Sequence, residues 1–281
     1  MSPFTIKIWA TVAILAAGVI GGLIPILATR RSAGDRFLSL GNALAGGTFL
    51  GAGFLHLLPE AAEVLDEVFE YPLGPLLTVT GVCLLLLIDR VLFELFRPIS
   101  AGASKLGHKP HHHLILLVVL SIHAAIAGIA VGLETETATL LLLAGAILCH
   151  KGAASFALVV CTLSALNDTK KVVGALGVFA AMTPVGIVLG VSSSVFLSER
   201  SSLIFEGSFN ALAAGTFIYI AILDIIDDEL SSIDDRIAKF TRSALGGTDD
   251  HPMPQRDPDR VVKFLLILVG VAAMALMRFF E

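Results

Sequence analysis

The chain has 281 residues, of which 56% are hydrophobic and only 15% charged, and its formal net charge at pH 7 is −5. A mean hydropathy of +0.87 is too high for a soluble globular protein of this length, so the composition predicts an integral membrane protein. Three cysteines, Cys83, Cys149 and Cys161, lie in apolar runs without CxxC spacing, which gives no support for a disulfide framework or a zinc ribbon.

Eight apolar segments are long enough to cross a bilayer as helices. They cover about Ile8 to Ala28, Leu40 to Leu58, Leu73 to Phe96, Leu114 to Leu133, Ala138 to Val160, Val172 to Val195, Phe209 to Ile226 and Val261 to Met277. Because these runs are long and continuous, they are not the alternating strands of a β-barrel. The first run lacks the pattern of a cleaved signal peptide, and we expect it to be retained. The predicted fold class is all-α, a polytopic membrane protein with eight transmembrane helices.

The loops that follow odd-numbered spans differ in charge from those that follow spans two and four. Lys and Arg are concentrated in the loops after spans one, three, five and seven, which places these loops in the cytoplasm and both termini outside. The loops after spans two and four are acidic instead. An acidic outer rim would concentrate cations, but ordinary solvated loop ends explain the same charges equally well.

Two of the basic loops have unusual compositions. GHKPHHH holds four of the eight histidines, in a loop at about residues 98–113, and such a tract either binds borderline metals or is incidental. The loop at about residues 231–260 is rich in Gly, Pro and Asp, and we expect it to be flexible. Neither loop is long enough to form a soluble domain, so residues 1–281 are predicted to form a single transmembrane domain.

Few titratable residues remain inside the spans, and three of them are histidines. The candidates are His56, Asp89, His123, His150 and Asp224, with Glu60 near the outer end of span two. Intramembrane polar groups generally mark an ion pathway, and neutral imidazoles with a neutralising carboxylate suit zinc and other first-row divalent cations. The alternatives are a histidine bonded to a backbone carbonyl and, for Asp89 beside Arg90, a structural ion pair.

Local spacing adds detail to these positions. His56 and Glu60 lie one helical turn apart on one face, and Pro59 between them removes a backbone donor. Gly128 and Gly132 form a GxxxG pattern after His123, which allows a second helix to approach closely.

Five of these segments together resemble the ZIP (Zrt/Irt-like protein) family of divalent metal transporters. LAGGTFLGAGFLHLLPEA is similar to the family's GGxFLxxxxLHLLPEA, SIHAAIAGIAVGL to HSxxEGxAxGL, and MTPVGIVLG to MTPxGIxLG. HKG and AAGTFIYIAILDII resemble the corresponding segments of spans five and seven. The resemblance implies a ZIP-type bundle with a metal site between helices four and five, in which His123 and His150 are ligands.

The chain departs from the family pattern at two positions in this site. Ala127 stands where the family has a glutamate, one turn after His123. Asp224, Glu60 and His56 are the candidates to compensate for the lost carboxylate. Lys151 follows His150, and since its ammonium would repel a second cation, we expect one central metal rather than two.

We therefore expect transport of zinc or a similar divalent cation toward the cytoplasm, with metal ligands drawn from His123, His150, His56, Glu60 and Asp224. The alternatives are a transport-impaired homologue that acts as a metal sensor or assembly partner, and an intramembrane zinc hydrolase with His56, His123 and His150 as its ligands. The expected protein is not an enzyme and has no cofactor, because the divalent cation is its substrate. Its expected partners are this ion and the lipid bilayer, with a homodimer as a further option and no nucleic acid. We expect the plasma membrane as its location.

Overall fold

The computed structural model describes residues 2–29, 34–92, 112–166, 168–193, 199–232, 234, 237, 241 and 257–277. Within this part of the chain, eight helices are long and apolar enough to cross a membrane. We number them α1 (Pro3–Thr29), α2 (Gly34–Gly51, continuing through Ala52–Leu57 and Leu58–Asp66), α3 (Leu73–Leu86, continuing through Leu87–Leu92), α4 (His112–Leu133), α5 (Thr137–Ala165), α6 (Thr169–Ser193), α7 (Glu199–Tyr219, continuing through Ile220–Ile226 and Asp227–Glu229) and α8 (Arg260–Met277). The predicted all-α polytopic fold is confirmed.

Several helices are longer than the apolar runs that predicted them, because polar residues extend their ends. The second span covers Arg36–Asp66 and the seventh covers Leu203–Glu229, so both add more than a turn to the predicted segments. The fourth helix begins at His112, which brings the last two histidines of the predicted loop into α4. Residues 93–111 and 242–256, which hold most of both predicted loops, lie outside the described residues, as does the side chain of Asp89.

Over the described residues, three helices contain a π-helical segment, and two of these segments carry predicted site residues. Ala52–Leu57 includes His56, and Ile220–Ile226 includes Asp224. Pro59 follows the first segment, and the π-helical turn lies directly before the position where the backbone donor is missing. Single π-helical turns are frequent at functional sites because they rotate the side chains that follow. Pro184 lies inside α6, and this helix nevertheless runs without interruption from Thr169 to Ser193.

The helices pack chiefly in four pairs, which are α1 with α5, α2 with α8, α3 with α7, and α4 with α6. The predicted close approach at the GxxxG pattern of α4 is confirmed, and its partner is α6. A Cβ atom on Gly128 would lie 2.4 Å from the carbonyl oxygen of Thr183, and one on Gly132 would lie 2.4 Å from that of Ile187. Only glycine allows these two backbones to touch. This contact holds the backbone that carries His123 against α6.

The amino end of α5 is capped by the residue before it. Glu136 accepts hydrogen bonds from the hydroxyl of Thr139 and from the backbone N–H groups of Thr139 and Ala138. The hydrogen bond from the Thr139 hydroxyl has the largest effect, and together these hydrogen bonds hold the pKa of the Glu136 carboxyl below its ordinary value. The cap fixes where α5 begins, and thereby the register of His150 along it.

A buried polar network joins helices at the end where α2 begins. Lys263 of α8 donates to Glu229 at 2.8 Å and to Asp257 at 2.6 Å, and both carboxylates are largely buried. Glu229 also accepts hydrogen bonds from Asn42 and Ser39 of α2. Because each charge in this network has a partner of opposite sign, the burial of Lys263 is compensated.

Candidate metal centre

Three histidines from three helices meet in the interior of the bundle. His56 comes from the π-helical turn of α2, His123 from α4 and His150 from α5. Their ring centroids lie 5.2 Å apart for His56 and His150, 6.1 Å for His56 and His123, and 6.3 Å for His123 and His150. His56 and His123 are each 8% exposed, so water is largely excluded from two of the three rings.

The distances between these rings suit a single divalent cation. Each histidine offers one ring nitrogen, and the three nitrogens lie within 4.8 Å of one another. Two nitrogens on a tetrahedral zinc ion at about 2.0–2.1 Å are roughly 3.3 Å apart, so small side-chain rotations would close the set. The other two predicted ligands, Glu60 and Asp224, are not in this group.

The histidines open onto a cavity whose wall is mostly apolar. Ala127, Lys151 and Thr183 also line it, and none of the described residues in its wall is Asp or Glu. Ala127 therefore faces the same space as the histidines, which supports the alignment that puts it in place of the family's glutamate. Among the described residues of the wall no other carboxylate takes its place, and the third potential donor is the imidazole of His56.

Glu60 lies just outside the three-histidine group. Its Oε2 is 3.9 Å from Nε2 of His56, one turn earlier in α2, and about a third of its side chain is exposed. A carboxylate at this distance attracts a cation approaching His56, since unit charges of opposite sign attract by about 4 kcal/mol at 4 Å and an effective dielectric constant of 20. Its position is that of an outer neighbour of the site rather than a member of it.

Asp224 is remote from the histidines. It follows Phe217, which lines the cavity, by seven residues, or about 10 Å along α7. It is half-buried and lies near Cys161 of α5, with which it interacts electrostatically. Of the three candidates for the missing ligand, the structure thus brings His56 to the site, Glu60 beside it, and Asp224 to neither place.

The ammonium of Lys151 is held inside the bundle beside the site. Only 2% of the residue is exposed, and Nζ donates to the carbonyl oxygen of Phe179 at 3.1 Å and to the hydroxyl of Thr183 at 3.0 Å. It also lies 3.7 Å above the centroid of the Phe179 ring, where a cation is attracted by the π electrons. All of these contacts are with residues of α6. They hold Nζ of Lys151 against α6, although the side chain still lines the cavity with the histidines.

Asn210 is a contact of the site that the sequence reasoning did not single out. Its Oδ1 lies 3.2 Å from Nδ1 of His123. An amide does not titrate, so Asn210 is not among the titratable residues that mark an ion pathway in the sequence. The available signal was one polar residue in the apolar run FNALAAGTF, just before the AAGTF motif.

Comparison with known proteins gives one consistent family. A family model described as "ZIP Zinc transporter" matches residues 4–114 and 100–278. The chain is 29% identical to human "Zinc transporter ZIP1" over 83% of its own length and 86% of the relative's, and 27% identical to human "Zinc transporter ZIP2" over 86% and 94%. It is 25% identical to rice "Zinc transporter 3" over 81% of its own length and 80% of the relative's.

Proposed function

Since the chain belongs to the ZIP zinc transporter family, we propose that it carries zinc or a similar divalent cation into the cytoplasm through a site made by His56, His123 and His150. Family membership makes it a transporter of divalent metal ions and a multi-pass membrane protein rather than an enzyme. The meeting of three imidazoles in one apolar cavity is the observation that supports this site.

The proposed path begins at the end of α2 that carries Glu60. A cation attracted there exchanges part of its hydration shell for His56, whose ring lies next to the carboxylate. It then reaches His123 and His150, which complete a set of three neutral donors and leave a fourth position for water. Neutral ligands suit passage, because they leave no negative charge in the hydrocarbon when the ion departs.

Lys151 limits the site to one ion at a time. Its ammonium lies in the same cavity wall as the three histidines. A positive charge in this wall disfavours any divalent ion in the cavity, and it disfavours most a second ion that would also be repelled by the first. We therefore expect a binding stoichiometry of one zinc per chain at the centre.

Zinc uptake into liposomes that contain only this protein tests the proposal. His56→Ala, His123→Ala and His150→Ala should each reduce uptake and weaken zinc binding by the purified protein. His113→Ala is the matched control, since His113 lies ten residues earlier in α4 and is also 8% exposed. Unchanged binding and uptake in all three site variants would overturn the proposed centre. Competition by iron and manganese in the same liposomes would establish the preferred ion.

The direction of transport depends on the orientation of the chain. The basic loops predict that residue 108 lies in the cytoplasm and that Glu70, after α2, lies outside. Single cysteines at these positions, with the three native cysteines replaced, should differ in labelling of intact cells by an impermeant reagent. Labelling is expected at 70 and not at 108, and the reverse pattern would invert the orientation. Fractionation of the same cells tests the expected plasma membrane location.

The described cluster favours transport over the sensor alternative, because His56 supplies a third donor where the family glutamate is missing. A homodimer stays a prediction, for which the mass of the purified protein in detergent is the measurement.

A further inference from the structure

Asn210 places a buried amide in the apolar middle of α7. The residue is 2% exposed, and its chain neighbours Phe209 and Ala211 have no polar side-chain atoms. A polar side chain at such depth costs free energy unless it forms a hydrogen bond. Its oxygen lies 3.2 Å from Nδ1 of His123, across the space between α7 and α4. The contact therefore links the amide to one of the proposed metal ligands.

We propose that Asn210 is a positioning residue, which fixes the tautomer and the ring orientation of His123 so that Nε2 can bind the cation with its lone pair. This inference rests on the proposed function of His123 as a ligand. An amide oxygen can only accept, so Nδ1 of His123 carries the proton and donates it. A neutral imidazole has one N–H group, and Nε2 therefore keeps its lone pair. Metal-binding histidines commonly donate their second nitrogen to an oxygen in this way.

The amide fits this role better than a carboxylate does in a transport site. A carboxylate would make the imidazole a stronger ligand and would leave a buried negative charge when the ion departs. Asn210 supplies the acceptor without that charge. The contact also joins helices from different pairs, since α4 packs chiefly on α6 and α7 on α3. Its place is thus explained by the ring of His123 rather than by the packing of one helix pair.

Two substitutions separate the acceptor from the volume of the side chain. Asn210→Leu keeps a similar size and removes the oxygen, and we expect zinc binding to weaken by about 10- to 100-fold, the usual effect of losing such a partner. Asn210→Asp keeps an oxygen at the same place, and binding should be retained or become tighter. The same pair is then made in His123→Ala, where Asn210→Leu should cause no further loss.

Nitrogen NMR of the parent with ¹⁵N-labelled histidine provides a test without any change at Asn210. Assigned by comparison with His123→Ala, the zinc-free His123 should show a protonated Nδ1 and an unprotonated Nε2 at a pH where the ring is neutral. The opposite tautomer overturns the proposal, even if Asn210→Leu does not fold. The proposal is also overturned if a folded Asn210→Leu protein binds zinc as tightly as the parent does. It is overturned as well if Asn210→Leu weakens zinc binding equally in the presence and in the absence of His123.

These outcomes are distinct from failure of the proposed function. If His123→Ala itself binds and carries zinc as the parent does, the three-histidine centre is wrong. If His123→Ala loses binding while Asn210→Leu retains it, only the role of Asn210 is overturned. Protein yield and thermal unfolding in detergent, measured for every variant, identify any loss that comes from folding.

Discussion

Replacing Ala127 by glutamate restores a carboxylate at the position where the family pattern has one. Ala127 lines the cavity with His123 and lies one turn after it on α4, so the new side chain can reach an ion held by the histidines. On the proposed function, Ala127→Glu changes the site from three neutral donors to three neutral donors and one anion. We expect tighter zinc binding and a lower maximal rate of uptake, because a more firmly held ion leaves more slowly.

The magnitude follows from the charges in the cavity. A carboxylate about 4 Å from a divalent ion gains about 8 kcal/mol at an effective dielectric constant of 20. Two effects offset part of this gain. The carboxylate displaces a water ligand from the ion, and it gives up its attraction, present in the empty site, to Lys151, which lines the same cavity. A remaining gain of about 2.7 kcal/mol corresponds to about 100-fold tighter binding, which we take as the lower bound. Burying the new charge costs stability in the empty protein, by about 2.5–3.5 kcal/mol before Lys151 compensates.

Zinc binding to purified protein, measured by competition with a chelating dye, is the assay. Ala127→Gln is the matched control, since it adds nearly the same volume without the charge, and it should not approach the affinity of Ala127→Glu. In His123→Ala, the gain from the glutamate should largely disappear. Unchanged affinity in a well-folded Ala127→Glu protein would refute the reasoning, because it would mean that residue 127 does not face the metal.

Three further predictions concern the framework around the site. Lys263→Met leaves two largely buried carboxylates without their cation and should lower the free energy of unfolding by about 3–5 kcal/mol. Lys171→Met, at an exposed ion pair, should change the free energy of unfolding by less than about 0.5 kcal/mol. Thermal unfolding in detergent measures both. Gly186→Ala puts a methyl group 2.1 Å from a carbonyl oxygen of α4 and should reduce the yield of folded protein, whereas Gly174→Ala on the same helix meets nothing within 4 Å and should be tolerated. The lowered pKa of Glu136 means that its cap is fully effective above the carboxyl's ordinary pKa and is lost as the pH falls through the lowered one. The protection of amides in the first turn of α5, measured as exchange relative to the intrinsic rate at each pH, should therefore fall in acid and be low at both pH values in Glu136→Ala.

The helices could be predicted from the sequence because the bilayer imposes a simple rule. A segment of about twenty apolar residues must satisfy its own backbone hydrogen bonds, and only a helix does so without neighbours. The ends were harder to predict, since Arg36 and Glu229 extend α2 and α7 through contacts with other helices. Arg36 binds Asp259, and Glu229 binds Lys263. Such contacts join residues that are far apart in sequence, and hydropathy does not register them.

The residues of the candidate site also differ in how far the sequence predicts them. His123 and His150 lie in motifs that resemble those of the family, and the resemblance predicts that both are metal ligands. The choice among His56, Glu60 and Asp224 could not be made from sequence, because it depends on how α2 and α7 are rotated about their axes. A π-helical segment in each helix changes that rotation, and the sequence pattern signalled only the one before Pro59. Asn210 required the structure, since its significance lies in the ring it contacts.

The combination of neutral ligands with a nearby ammonium gives a physical reason for release as well as for capture. An ion among three imidazoles keeps both of its charges uncompensated in a wall that, over the described residues, contains Lys151 and no carboxylate. Binding there depends on the three nitrogen bonds alone, and repulsion from Lys151 opposes a long residence. Further along α7, at the end that we assign to the cytoplasm, Asp224 and the exposed Asp227 offer negative charge. On the proposed function, the ion therefore moves from Glu60, through a weakly held central position, toward a second set of carboxylates. In this scheme the missing glutamate at residue 127 lowers affinity at the one point where tight binding would slow transport most.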